Sequence, residues 1–101
     1  MSGITTHVLD TSRGRPGIGI AVQLWRGDEL RHETRTDADG RARLAETSEA
    51  GIYRVVFKIG GYFESGFYPE AAITFEVRDA SQHYHVPLLL SPFGYSTYRG
   101  S

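Results

Sequence analysis

The chain has no cysteine among its 101 residues. Disulfide staples, thiolate zinc sites and thiol nucleophiles are therefore excluded together. It also lacks a surplus of either charge: eleven Lys and Arg stand against twelve Asp and Glu, a net charge of -1. Nucleic-acid binders and membrane-surface proteins normally carry a basic excess, so neither partner is expected. No apolar run approaches the ~20 residues that a transmembrane helix needs. The opening Met1-Ser2-Gly3-Ile4-Thr5-Thr6-His7 has neither the charged nor the apolar region of a signal peptide, and a soluble cytoplasmic domain is the expectation. Charge blocks, low-complexity tracts and internal repeats are missing as well. One domain over residues 1–101 suits a chain of this length, which buries roughly 60–65% of its unfolded surface.

Glycine, by contrast, is plentiful: twelve glycines and four prolines cut the sequence into short runs rich in Val, Ile, Thr and aromatics. Such punctuation predicts an all-β fold of about eight strands, packed as two antiparallel sheets. Strands are expected at Ile4 to Asp10, Ile18 to Arg26, Glu29 to Thr36, Gly40 to Leu44, Gly51 to Lys58, Ala71 to Arg78, His83 to Leu90 and Tyr95 to Arg99. Gly27-Asp28 suits a hairpin turn, and Asp37-Ala38-Asp39-Gly40 suits another, with Gly40 free to take positive φ. The stretch from Gly60 to Pro69 shows no alternation, and its aromatics point to a short helix or a packed crossover.

Alternation along Gln82-His83-Tyr84-His85-Val86-Pro87-Leu88-Leu89-Leu90 puts Tyr84, Val86, Leu88 and Leu90 on one face, as core. His83, His85, Pro87 and Leu89 then share the other face. Two histidines, a proline and a leucine make odd solvent decoration, so a second subunit is expected to cover them. Pro87 cannot donate to a ladder, and pairing should be interrupted there. In the first strand, Val8 facing inward sends His7 outward with Thr5 and Leu9.

Four histidines are the main candidates for chemistry; His32 lies among charged residues of a polar strand and reads as surface. His7, His83 and His85 have the number for a three-imidazole metal site. No carboxylate accompanies them, and His-x-His on a strand is a weak pattern, so neither metal nor other cofactor is expected. Asp37-Ala38-Asp39-Gly40 is not a calcium loop: its glycine comes too early and no bidentate glutamate follows at the right distance. Gly14, Gly17 and Gly19 precede no helix and form no phosphate cradle. No serine sits in a nucleophile elbow, so a hydrolase built from these residues would use water activated by imidazole.

Four blocks carry a resemblance: His7-Val8-Leu9-Asp10, Thr36-Asp37-Ala38-Asp39-Gly40-Arg41, His85-Val86-Pro87-Leu88-Leu89-Leu90-Ser91-Pro92, and the closing Tyr98-Arg99-Gly100-Ser101. Together they resemble the 5-hydroxyisourate hydrolases, the enzymatic branch of the transthyretin family, essentially end to end. The resemblance implies a transthyretin-like β-sandwich of two four-stranded sheets with one short helix, assembled as a homotetramer whose central channels hold sites built by facing subunits. It implies catalytic roles for His7, Arg41 and His85 and substrate contacts for Tyr98, Arg99, Gly100 and Ser101; it gives His83 no role. The implied reaction is hydrolysis of 5-hydroxyisourate to 2-oxo-4-hydroxy-4-carboxy-5-ureidoimidazoline in urate catabolism. The alternative is a non-catalytic carrier of the transthyretin type, for which two histidines and two arginines are a costly lining.

Overall fold

The computed structural model describes residues 3–100. Ten strands form two sheets: β1 (Ile4–Asp10), β2 (Arg15–Pro16), β3 (Ala21–Arg26), β4 (Glu29–Arg35), β5 (Arg41–Ala45), β6 (Gly51–Lys58), β7 (Glu70–Val77), β8 (Tyr84–His85), β9 (Leu88–Ser91) and β10 (Gly94–Thr97). One sheet is the antiparallel series β4-β3-β6-β7. The polar return strand β4 is its edge, where side chains with no core to fill do least harm. The other sheet is centred on β1, flanked by β5 and β2 along one side and by β8, β9 and then β10 along the other.

This second sheet is mixed, where two antiparallel sheets were expected: β1 runs parallel to both β8 and β9. A parallel neighbour requires a long crossover, and most of the chain separates these strands. The expected strand from His83 to Leu90 is split into β8 and β9 at Val86-Pro87, as the missing proline N–H demands. With β2 as a further two-residue piece, the sheet counts six short strands rather than four. β3 starts later than its alternation implied, because Ile18 lies in a loop and is 54% exposed.

No helix forms among the described residues. Residues 60–69 instead run as turns and bends, because their backbone bonds close across the loop: the N–H groups of Ile59 and Gly60 both donate to the Pro69 carbonyl, at 3.2 and 2.8 Å. Gly60, Gly61, Gly66 and Pro69 are poor helix formers and leave the loop free to do so. No helix is long and apolar enough to cross a membrane among these residues.

The core lies between the sheets. Ile4, Val8, Leu44, Leu88 and Leu90 come from one, and Val22, Leu24, Val55, Phe57, Ala71 and Val77 from the other, all essentially without solvent contact. On β1 burial alternates strictly, with Ile4, Thr6, Val8 and Asp10 inward and Thr5, His7 and Leu9 outward. Thr6 satisfies its hydroxyl by donating to the Val86 carbonyl at 2.6 Å.

Asp10, at the end of β1, is a fully buried carboxylate. It accepts from the Ser12 amide and hydroxyl (3.1 and 2.7 Å), the Arg13 amide (3.1 Å) and the Tyr62 hydroxyl (3.0 Å). Burial pushes its pKa up, but these bonds and the Arg13 guanidinium outweigh that and hold it below the usual carboxylate value. A depressed folded pKa gives stability that is complete above the unfolded value near ~3.9 and lost as pH falls through the folded one. Asp10→Asn should therefore cost about 1–3 kcal/mol at neutral pH. Denaturant midpoints at pH 7 and in acid check this: the gap between variant and parent should narrow in acid.

Candidate active site

The central position of β1 decides which side chains meet. In its antiparallel pairing with β5, His7 lies opposite Arg41 and Thr5 opposite Arg43. In its parallel pairing with β8, Thr5 lies beside His85. Cross-strand partners project on the same side, so Thr5, His7, Arg41, Arg43 and His85 all stand on the outer face of the sheet. Residues widely separated along the chain become neighbours through register alone.

The turn before β5 fixes Arg41. Asp37 Oδ1 accepts from the amides of Asp39 (2.9 Å) and Arg41 (3.0 Å), while the Asp37 amide donates to the Arg41 carbonyl at 2.9 Å. Those amides, Arg41 first, hold the Asp37 carboxyl below the usual range. Gly40 adopts φ +76, and a Cβ there would lie 2.5 Å from the Val8 carbonyl oxygen, so only glycine fits. Its own carbonyl accepts from Val8 at 2.7 Å and extends the β1–β5 ladder.

A depression of about 400 Å³ opens on this face, lined by Thr5, Asp37, Arg41, Arg43, His83 and His85. His7 does not line it but stands on β1 directly across from Arg41. His85 is half-buried, with Nδ1 2.8 Å from Thr5 Oγ1; the same hydroxyl lies 2.9 Å from Nε2 of the exposed His83. Nε2 of His85 has no hydrogen-bond partner among the described residues. Burial first, then the Arg41 guanidinium and electrostatic coupling to the neighbouring His7 and His83 rings, lower the His85 pKa, against a raising effect of the Thr5 backbone. Neutral imidazole with one open nitrogen is a proton acceptor at neutral pH, and Arg41 beside it is a fixed positive charge facing solvent.

A larger hollow of about 510 Å³ lies between the sheets near β4 and β5, lined by Arg31, His32, Arg43 and Glu49 among others. Its charged groups are already in ion pairs: Arg31 with Glu29, Arg43 with Glu46, and Glu49 with Arg26. It lacks the clustered imidazoles of the outer face. No three His, Asp or Glu side chains form a metal-binding group among the described residues.

The tail divides. The Gly100 amide donates to the His85 carbonyl at 2.9 Å, forming an isolated bridge. A Cβ on Gly100 would sit 2.5 Å from His85 Cδ2, so the glycine is what lets the chain end lie against the imidazole. Arg99 turns elsewhere, its guanidinium 4.5 Å over the Tyr84 ring and donating to Gln82 Oε1 at 3.1 Å. Tyr98 and Arg99 line a separate groove with Ile73, Phe75 and Tyr84, away from His7 and Arg41 within one chain. Ser101 lies outside the described residues. The sequence alone gives no role to Thr5 and offers His83 only as a third imidazole for a metal site, although β1 alternation already places Thr5 on the face of His7.

Fold and site together define a transthyretin-type β-sandwich with an imidazole–guanidinium cluster on the outer face of one sheet. The sequence matches the HIUase/Transthyretin family over residues 4–100, and the chain belongs to that family. It is 47% identical to the 5-hydroxyisourate hydrolase of Caulobacter vibrioides, with both chains covered in full. Its structure superposes on that of Klebsiella pneumoniae 5-hydroxyisourate hydrolase with a TM-score of 0.90 at 36% identity, covering 100% of this chain and 94% of the other. Against transthyretin from Sparus aurata the TM-score is 0.89 at 26% identity, covering 99% and 97%.

The contact between Gly100 and His85 makes a testable demand. Gly100→Ala should displace the imidazole, cost about 1–3 kcal/mol of stability and leave the sandwich intact. The His85 ring resonances in an NMR spectrum should shift while those of His32 stay in place.

Proposed function

We propose that this chain hydrolyses 5-hydroxyisourate to 2-oxo-4-hydroxy-4-carboxy-5-ureidoimidazoline in urate catabolism, with His7, Arg41 and His85 as its catalytic residues. The observation that carries the assignment of residues is the double register of β1, which sets His7 against Arg41 and Thr5 against His85 on one outer face. The likeness to 5-hydroxyisourate hydrolases at 41–47% identity supports the reaction.

The chemistry follows from the groups available. The substrate is a small planar polar ring, matched to donors rather than to an apolar cavity. His85 Nε2 takes a proton from water as the water oxygen bonds to a ring amide carbonyl carbon. Arg41 stabilises the charge that develops on the carbonyl oxygen. The ring C–N bond then breaks, and imidazole returns a proton to the departing nitrogen. His7, across from Arg41, orients the water or serves that protonation.

The tail completes the site. Gly100 borders His85, and Ser101, next in sequence, supplies a hydroxyl. Tyr98 and Arg99, which turn away from His85 within one chain, contact substrate in a homotetramer whose channels are built by facing subunits. Residues 1–101 work as one domain in the cytoplasm, without metal or cofactor.

Ultraviolet monitoring of freshly generated 5-hydroxyisourate tests the reading: protein should accelerate decay far above the spontaneous rate. His7→Ala and His85→Ala should each lose about 10²–10⁴-fold in kcat while remaining folded; a carrier would lose only affinity. Arg41→Ala should lose about 10²–10³-fold.

The lowered His85 pKa places the acidic limb of the kcat–pH profile below the ordinary imidazole value of ~6.5. Because Arg41 is one cause of that shift, Arg41→Ala should move the limb toward higher pH, whereas Arg41→Lys should not. Light scattering should give a mass four times that of the chain; a fully active monomer would contradict the assembly.

A further inference from the structure

His83 has no place in the hydrolytic reading, yet Thr5 Oγ1 lies 2.9 Å from His83 Nε2 and 2.8 Å from His85 Nδ1. A hydroxyl has one proton to donate and lone pairs to accept with. With both rings neutral, the two contacts are hydrogen bonds only if one facing nitrogen carries a proton. The hydrolytic reading assigns that proton to His85, because a base at Nε2 needs its lone pair free and a neutral ring then carries its proton on Nδ1, the nitrogen that faces Thr5 Oγ1. Thr5 then accepts from His85 Nδ1–H and donates to His83 Nε2. This arrangement leaves the lone pair of His85 Nε2 open.

We propose that Thr5 is a positioning residue that holds His85 in the Nδ1–H tautomer, and that His85, Thr5 and His83 form a relay carrying the proton drawn from water out to solvent. The proposal rests on the hydrolytic reading above. As water gives its proton to His85 Nε2, the Nδ1 proton passes to Thr5 Oγ1, and the hydroxyl's own proton passes to His83 Nε2. His83 is exposed and sheds its Nδ1 proton to bulk water. Run in reverse, the chain reprotonates His85 Nδ1 as Nε2–H is given to the departing nitrogen, restoring the starting tautomer. The guanidiniums of Arg41 and Arg43 on β5, with the His7 ring beside them on β1, face this chain; the two fixed positive charges disfavour a lasting imidazolium and so favour outward transfer. In the Asp37 carboxylate of the same depression, Oδ1 is held by the main-chain amides of Asp39 and Arg41.

Four variants test the relay against parent enzyme, each assayed in dilute buffer after circular dichroism has verified folding. Thr5→Val removes the hydroxyl but keeps the branched strand-forming side chain; it should lower kcat about tenfold or more with KM unchanged within about twofold, and Thr5→Ser should restore the rate. His83→Ala, at an exposed position, should also slow turnover, and added imidazole should recover it while leaving the parent rate unchanged. Turnover at the parent rate in both Thr5→Val and His83→Ala, with His85→Ala inactive, would overturn the relay and leave the hydrolytic reading standing. Losses that neither serine nor added imidazole restores would equally overturn it, since they mark a purely structural role. Parent-level activity in His85→Ala would instead remove the hydrolytic reading itself.

Discussion

Backbone pairing on both sides of β1 is the constraint from which the site follows. A strand at the centre of a sheet has each residue's lateral position fixed by two ladders, so its outward side chains inherit two sets of neighbours. Here those neighbours are Arg41 and Arg43 from β5 and His85 from β8. A one-residue slip in either ladder would turn the set inward. Buried Ile4, Thr6 and Val8 forbid that slip, because it would exchange them for a histidine and a threonine in the core. The hydrophobic core thus specifies the polar site without touching it.

The same face gathers like charge: two guanidiniums and three imidazoles, with Asp37 as the carboxylate of the depression. Burial first, and then this crowding, lower the His85 pKa, since protonation would put a further positive charge at a half-buried position. A structural surface would disperse these groups. A site for water attack on a polar planar ring makes use of both properties, the unprotonated base and the fixed cation. Glycine serves the arrangement twice: Gly40 lets the turn approach β1 ahead of Arg41, and Gly100 lets the tail lie on the His85 ring.

Much of this was legible in sequence, and the physics explains the boundary. Two-residue alternation placed His7 and Thr5 outward and Tyr84, Val86, Leu88 and Leu90 inward, because burial acts on each side chain locally. The Pro87 interruption was equally local. Parallel pairing of β1 with β8 and β9 was not legible, because alternation describes faces and says nothing about which strand lies alongside. Nor was the closed loop over residues 60–69, whose form depends on the Pro69 carbonyl receiving two amides from the far side of the loop. The bridge role of Thr5 required distances to two rings, and a hydroxyl flanking a histidine carries no such signal in sequence. The placing of Arg99 over Tyr84 was likewise invisible, since it depends on how the chain leaves β10.

The central claim is that His7, Arg41 and His85 serve one small-molecule site. Imidazole resonances followed by NMR during titration with a non-hydrolysable planar oxopurine test it most directly. The account predicts that the rings of His7 and His85 shift together, with one shared Kd that is weakened in Arg41→Ala, while His32 stays still. Shifts confined to a single ring, or separate Kd values for the two, would contradict it.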